Sequence, residues 1–126
     1  MIQKHFYEVK EWISHHKSLV IQDELDFRVD EELNIGQIKG KISFVDGSTL
    51  YISESLNLEE PSYRFHFSYA QSKLFKRWDS APHYKKIKTF PYHFHDGEKV
   101  KLSKPMTSME VLEIVGKIVL DNISKL

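Results

Sequence analysis

Ile2, Phe6, Val9 and Ile13 recur three and four residues apart with Trp12 beside them, and this spacing predicts an amphipathic first helix. His15, His16 and Lys17 follow where cations meet the negative end of a helix dipole, which gives both histidines a structural explanation. The period then changes: Leu19, Ile21, Leu25, Phe27 and Val29 take odd positions with mostly polar residues between them, predicting extended chain. Residues 37–45 and 49–53 flank Asp46-Gly47, and Asp-Gly between apolar runs predicts a two-residue hairpin turn. Tyr63, Phe65, Phe67 and Tyr69 alternate with Arg64, His66 and Ser68, a strand with an aromatic face for the core and a polar, cationic face opposite. The run 74–79 returns antiparallel through Ala70-Gln71-Ser72 and brings Arg77 or Lys76 beside Arg64 and His66, whichever the register selects.

Beyond Lys104-Pro105 the helical period resumes. Thr107 and Glu110 have the spacing of a capping box. Val111, Leu112, Ile114, Val115, Ile118, Val119 and Ile123 cover more than one helical stripe, so this helix is expected to be heavily buried, with surplus apolar surface for a second subunit or a protein partner. Gly116 offers a close backbone approach. The order is helix, antiparallel meander of about five to six strands, irregular loop, helix. It describes one α+β domain over residues 1–126, with both helices packed on the sheet and no internal repeat.

A chain of 126 residues can close one hydrophobic core. No apolar run approaches the roughly 20 residues that span a bilayer, and Glu8 and Glu11 interrupt the segment where a secretory signal would be apolar. The absence of cysteine excludes disulfides and thiolate metal sites. We therefore expect a cytoplasmic protein without membrane contact. The net charge of zero conceals a division: residues 1–62 hold 6 Lys/Arg against 12 Asp/Glu, whereas 73–104 hold 9 against 3. In the basic half Lys73, Lys76, Lys85, Lys86 and Lys88 lead a field suited to a polyanion, because phosphate contact supplies sequence-independent affinity for nucleic acid.

That half also carries the candidate chemistry. Arg77, Asp79, His83, His93 and His95 crowd one stretch held by Pro82 and Pro91, and three of the seven histidines fall within thirteen residues. In a phosphodiester cleavage without metal or other cofactor, one imidazole takes the proton of a ribose 2′-hydroxyl and a second protonates the leaving oxygen. Arg64 or Arg77 steadies the phosphate charge, with Asp79 orienting an imidazole and His66 alongside. A metal-dependent hydrolase competes with this reading: His93-x-His95 on a strand points both rings one way, and His83 with Asp79 or Asp96 completes a ligand set. In a third reading, Asp79 and the histidines only cap turns and satisfy loop backbone, and the basic face binds nucleic acid without catalysis.

Arg77-x-Asp79-x-Ala81-Pro82-His83, then Thr89-Phe90-Pro91-x-His93-x-His95, preceded by Ile42-Ser43-Phe44-x-Asp46-Gly47-Ser48 and Tyr63-Arg64-Phe65-His66-Phe67, resemble the TumE-type toxin family of prokaryotic toxin-antitoxin modules. The likeness covers roughly residues 42–119. It implies a toxin neutralised by a cognate helix-turn-helix antitoxin. RNA as the target, and ribonuclease action by His83, His93 and His95 with Asp79, Arg77, His66 and Arg64, is the inference drawn from the residues themselves. A homodimer through the C-terminal helix is the further expectation.

Overall fold

A computed structural model describes residues 2–57, 62–69, 74–80 and 92–125. Helix α1 (Ile2–His15) leads into seven strands, β1 (Val20–Asp30), β2 (Ile35–Phe44), β3 (Thr49–Leu56), β4 (Ser62–Ser68), β5 (Phe75–Asp79), β6 (His93–Asp96) and β7 (Lys99–Leu102), before helix α2 (Ser108–Ser124). The strands form one sheet in chain order, every neighbour antiparallel. This is the expected α+β meander with two helices on it, with seven strands in place of five to six. The 92–102 segment, where the sequence suggests an irregular loop, supplies β6 and β7. His93 and His95 occupy one strand face, and Gly97 (φ 63°) opens a two-residue turn that sends the chain back as β7.

Asp46-Gly47 turns differently from expectation. The Phe44 N–H donates to the Ser48 carbonyl (2.9 Å) and the Gly47 N–H to the Phe44 carbonyl (3.0 Å), so three residues form the loop, and Gly47 takes φ 88°. A three-residue hairpin needs its left-handed residue last, and that is where the glycine stands. Asp46 accepts from the Ser48 N–H and hydroxyl, and Asn122 Nδ2 at the end of α2 donates to its second oxygen (2.9 Å), tying the hairpin to the helix layer.

The core is a single layer between the helices and one sheet face. Ile38, Ile42, Phe44, Leu50, Phe65 and Phe67 meet Val9, Trp12, Val111, Leu112, Val115 and Val119, and each full burial contributes about 2 kcal/mol. Helix α1 lies against β1 and β2, and α2 against β3 and β4. The two helices touch where a Cβ on Gly116 would come within 2.8 Å of the Trp12 ring, so glycine permits the close approach its position implies. Thr107 and Glu110 form both bonds of the capping box. Val115 and Val119 are fully buried and belong to the core, while Ile114 and Leu120 carry the apolar surface that α2 leaves exposed.

Candidate functional site

Strand alternation directs Tyr63, Phe65 and Phe67 into the core and Arg64 and His66 to the far face. Pairing then decides what joins them. Arg64 lies opposite Asp79 and His66 opposite Arg77 across β4–β5, and Asp79 lies opposite His93 and Arg77 opposite His95 across β5–β6. The result is a grid of two rows, Arg64–Asp79–His93 and His66–Arg77–His95. Strands lie about 4.8 Å apart and alternate residues repeat about every 7 Å, so six chemically active side chains share a small patch. Pairing continues past the grid at both ends. The Tyr63 N–H donates to Ser80 Oγ (2.9 Å) and the Ser80 N–H to the Tyr63 carbonyl (3.1 Å), while the Gly97 N–H donates to the Phe75 carbonyl (2.9 Å). These bonds hold the register on which the grid depends.

Beneath the grid, Tyr63 stacks between Phe65 and Tyr92, at 5.2 and 6.2 Å between ring centres. Its hydroxyl accepts from the Met106 N–H (3.1 Å), and burial pushes its pKa up to about 12, keeping it neutral. Trp78 stacks on Phe94 (5.1 Å) in the same layer, so the aromatic floor spans β4 to β6.

Asp79, His93 and His95 are 1%, 1% and 8% exposed. His93 Nε2 meets Asp79 Oδ1, and His95 Nε2 stands 3.4 Å from Oδ2. The two imidazoles cross at 66° with centres 4.9 Å apart. One ligand atom from each of the three residues lies within 4.8 Å of the other two, the proximity a metal ion requires. The second row is more open. Arg77 Nε donates to His66 Nδ1 (3.0 Å), which leaves the ring proton of neutral His66 on Nε2. His66 also stacks on Phe75 at 5.1 Å. Burial lowers its pKa, and the neighbouring charges of Arg77, Arg64 and His95 lower it further, so His66 is uncharged at neutral pH.

A groove of about 630 Å³ runs from the grid across the far face, lined by Gln37, Lys39, Ser53, Ser55, Arg64 and Asp79 among others. Its walls offer ammonium, guanidinium, amide and hydroxyl donors, the groups that hold sugar and phosphate oxygens.

Lys76 falls on the opposite face from the grid. It pairs with Asp96 (3.2 Å), which lowers the Asp96 pKa, and lies 5.7 Å from the centre of the Phe94 ring. Asp96 is thereby separated from the histidines and committed to Lys76 and Lys101, so the nearby carboxylate for a metal is Asp79. Expected site residues His83, Lys73, Lys85, Lys86 and Lys88 lie outside the described residues.

A second polar cluster lies between the layers. His5 Nε2 is 2.7 Å from Glu54 Oε1 and 2.8 Å from Ser108 Oγ, while the Ser108 N–H donates to Glu54 Oε2 (2.9 Å) and its hydroxyl to Oε1 (2.8 Å). Serine, histidine and acid are all present, but one ring nitrogen faces both partners, whereas a catalytic triad needs the acid on the other nitrogen. The cluster is a clasp: Glu54 satisfies the first turn of α2 and draws α1 onto β3. Its sequence signal is Glu54 in the inward phase of Leu50-x-Ile52-x-Glu54, a charge in a core position.

The family model described as toxin TumE matches residues 9–125, extending well beyond the 42–119 stretch that carries the motifs. No curated protein and no solved structure matches the chain. Among the described residues no helix is long and apolar enough to cross a membrane.

Proposed function

The chain belongs to the toxin TumE family, and on that premise we propose that this toxin acts on RNA, cleaving phosphodiester bonds at the grid of β4–β6. The observation that supports this reading is the pairing of two guanidiniums with three imidazoles and a carboxylate on adjacent rows of one sheet face. Arg64 and Arg77 stand diagonally across the grid, and their guanidiniums bind the phosphate and oppose the charge that grows on it in the transition state. In the form that uses no cofactor, imidazole takes the proton of the attacking 2′-hydroxyl and returns one to the leaving 5′-oxygen, with Asp79 orienting His95. His95 is the more exposed of the two imidazoles on Asp79. Neutral His66, with its proton on Nε2, donates a hydrogen bond to a phosphate oxygen. The groove toward Gln37 and Lys39 receives the adjoining sugar and phosphate.

The toxin acts in the cytoplasm. Lys73, Lys85, Lys86 and Lys88 add to the positive charge that attracts the polyanion, and a cognate helix-turn-helix antitoxin neutralises the protein by binding it. The test is cleavage of RNA by purified toxin in chelator, with 2′,3′-cyclic phosphate ends as the expected product. Arg77→Ala is expected to lower kcat/KM about 100-fold, as loss of a transition-state donor does. Undiminished cleavage in both Arg64→Ala and Arg77→Ala would falsify the assignment. RNA that is bound with steep salt dependence but never cut makes the protein a binding module instead.

A further inference from the structure

We infer that Asp79, His93 and His95 bind one divalent transition-metal ion of the zinc class. Two nitrogens and a carboxylate oxygen converge from directly paired strands, each ligand atom within 4.8 Å of the others. Both histidines offer the same nitrogen, Nε2, toward the same carboxylate. The register that sets this convergence is held by pairing beyond the grid, so the ligands are arranged before any ion arrives. Burial supplies the second argument. A carboxylate and two imidazoles that meet away from bulk water attract a cation more strongly than the same groups would at the surface, because the low dielectric strengthens each charge interaction.

The donor set selects the metal. Imidazole with carboxylate suits zinc, iron, nickel or cobalt, whereas magnesium and calcium seek oxygen alone. Among the described residues the ligands number three, the protein complement of catalytic zinc sites, where the fourth position takes water or substrate. Arg64 and Arg77 disfavour a bare cation beside them but favour its complex with a phosphate oxygen. The inference rests on the same grid as the proposed RNA chemistry without needing it, since a bound ion is measurable in the absence of RNA. With the ion present, His93 and His95 hold it and do not move protons.

Chelator-treated toxin is to be titrated with Zn²⁺ by calorimetry and with Co²⁺ by visible absorption, and its unfolding midpoint measured with and without Zn²⁺. The expected result is one ion per chain, a Co²⁺ spectrum characteristic of nitrogen and oxygen ligation, and a raised midpoint, because the ion binds only the folded state. Asp79→Asn and His95→Ala each lower affinity by at least about 100-fold, beyond the usual effect of losing a ligand's supporting partner. His66→Gln keeps the stoichiometry. Asp79→Asn preserves side-chain size, and its circular dichroism verifies folding where a truncated histidine would unfold the sheet. No saturable binding by wild type, or unchanged affinity in folded Asp79→Asn, overturns the site. RNA cleavage that persists after the ion is stripped leaves the ribonuclease reading in its cofactor-free form. An ion bound stoichiometrically by a protein that never cuts RNA removes that reading and retains the metal site.

Discussion

His66 and His95 flank Arg77 in one row of the sheet, yet their surroundings set them to different tasks. His95 faces the Asp79 carboxylate, whereas His66 accepts from Arg77 and lies near two guanidiniums, with burial and these charges lowering its pKa. The lowered value has a consequence for stability. As pH falls below the ordinary 6.5, the unfolded chain takes up a proton at this position before the folded chain does, so stabilisation present above 6.5 is lost toward the folded pKa. Urea unfolding is therefore expected to show a falling midpoint as the solution is acidified through this range, and His66→Gln to show a shallower fall. Equal slopes in the two proteins would show that burial and the neighbouring charges do not lower the pKa of this ring. Side-chain periodicity alone puts Arg64 and His66 on one face. That Arg77 and not Lys76 stands opposite His66 follows from pairing, because a shift of one residue exchanges the faces.

At the scale of elements, α2 separates what burial can do from what exposure can. Its apolar residues exceed one stripe, and the fold divides them: Val119 is fully buried, whereas Leu120 is 58% exposed. Val119→Asp places a carboxylate in the core and should cost at least about 3 kcal/mol, seen as a large drop in the urea midpoint. Leu120→Asp should change stability by less than about 0.5 kcal/mol, since it removes exposed surface only. We expect it to weaken self-association or antitoxin binding in sedimentation or calorimetry. Unaltered association would remove this side of α2 from any interface. The 92–102 segment makes the complementary point. Short, polar strands carry little hydrophobic period, so β6 and β7 read as loop until the Gly97 turn and their partners in the sheet supply the missing constraint.

In the whole molecule, the helix layer does more than cover the core. The clasp of His5, Glu54 and Ser108 joins both helices to β3, and Gly116 against Trp12 sets their separation. Glu54→Ala deprives a buried helix terminus and His5 of their shared acceptor, and a loss of about 3 kcal/mol is expected by urea unfolding. A smaller change, within about 0.5 kcal/mol, would mean that the carboxylate is dispensable to the layers. The order of elements through β5 and the closing helix, the aromatic face of β4, the capping box of α2 and the close approach at Gly116 were all legible along the chain, because helix and strand periods and caps are local properties of neighbouring residues. The motifs likewise carried the family, which the match over residues 9–125 shows. Which carboxylate meets the histidines, which cation meets His66, and that Glu54 belongs to a clasp were decided by tertiary structure alone. Those partners are 11 to 54 residues apart in the chain and on different elements, and only strand register and layer packing bring such groups within reach.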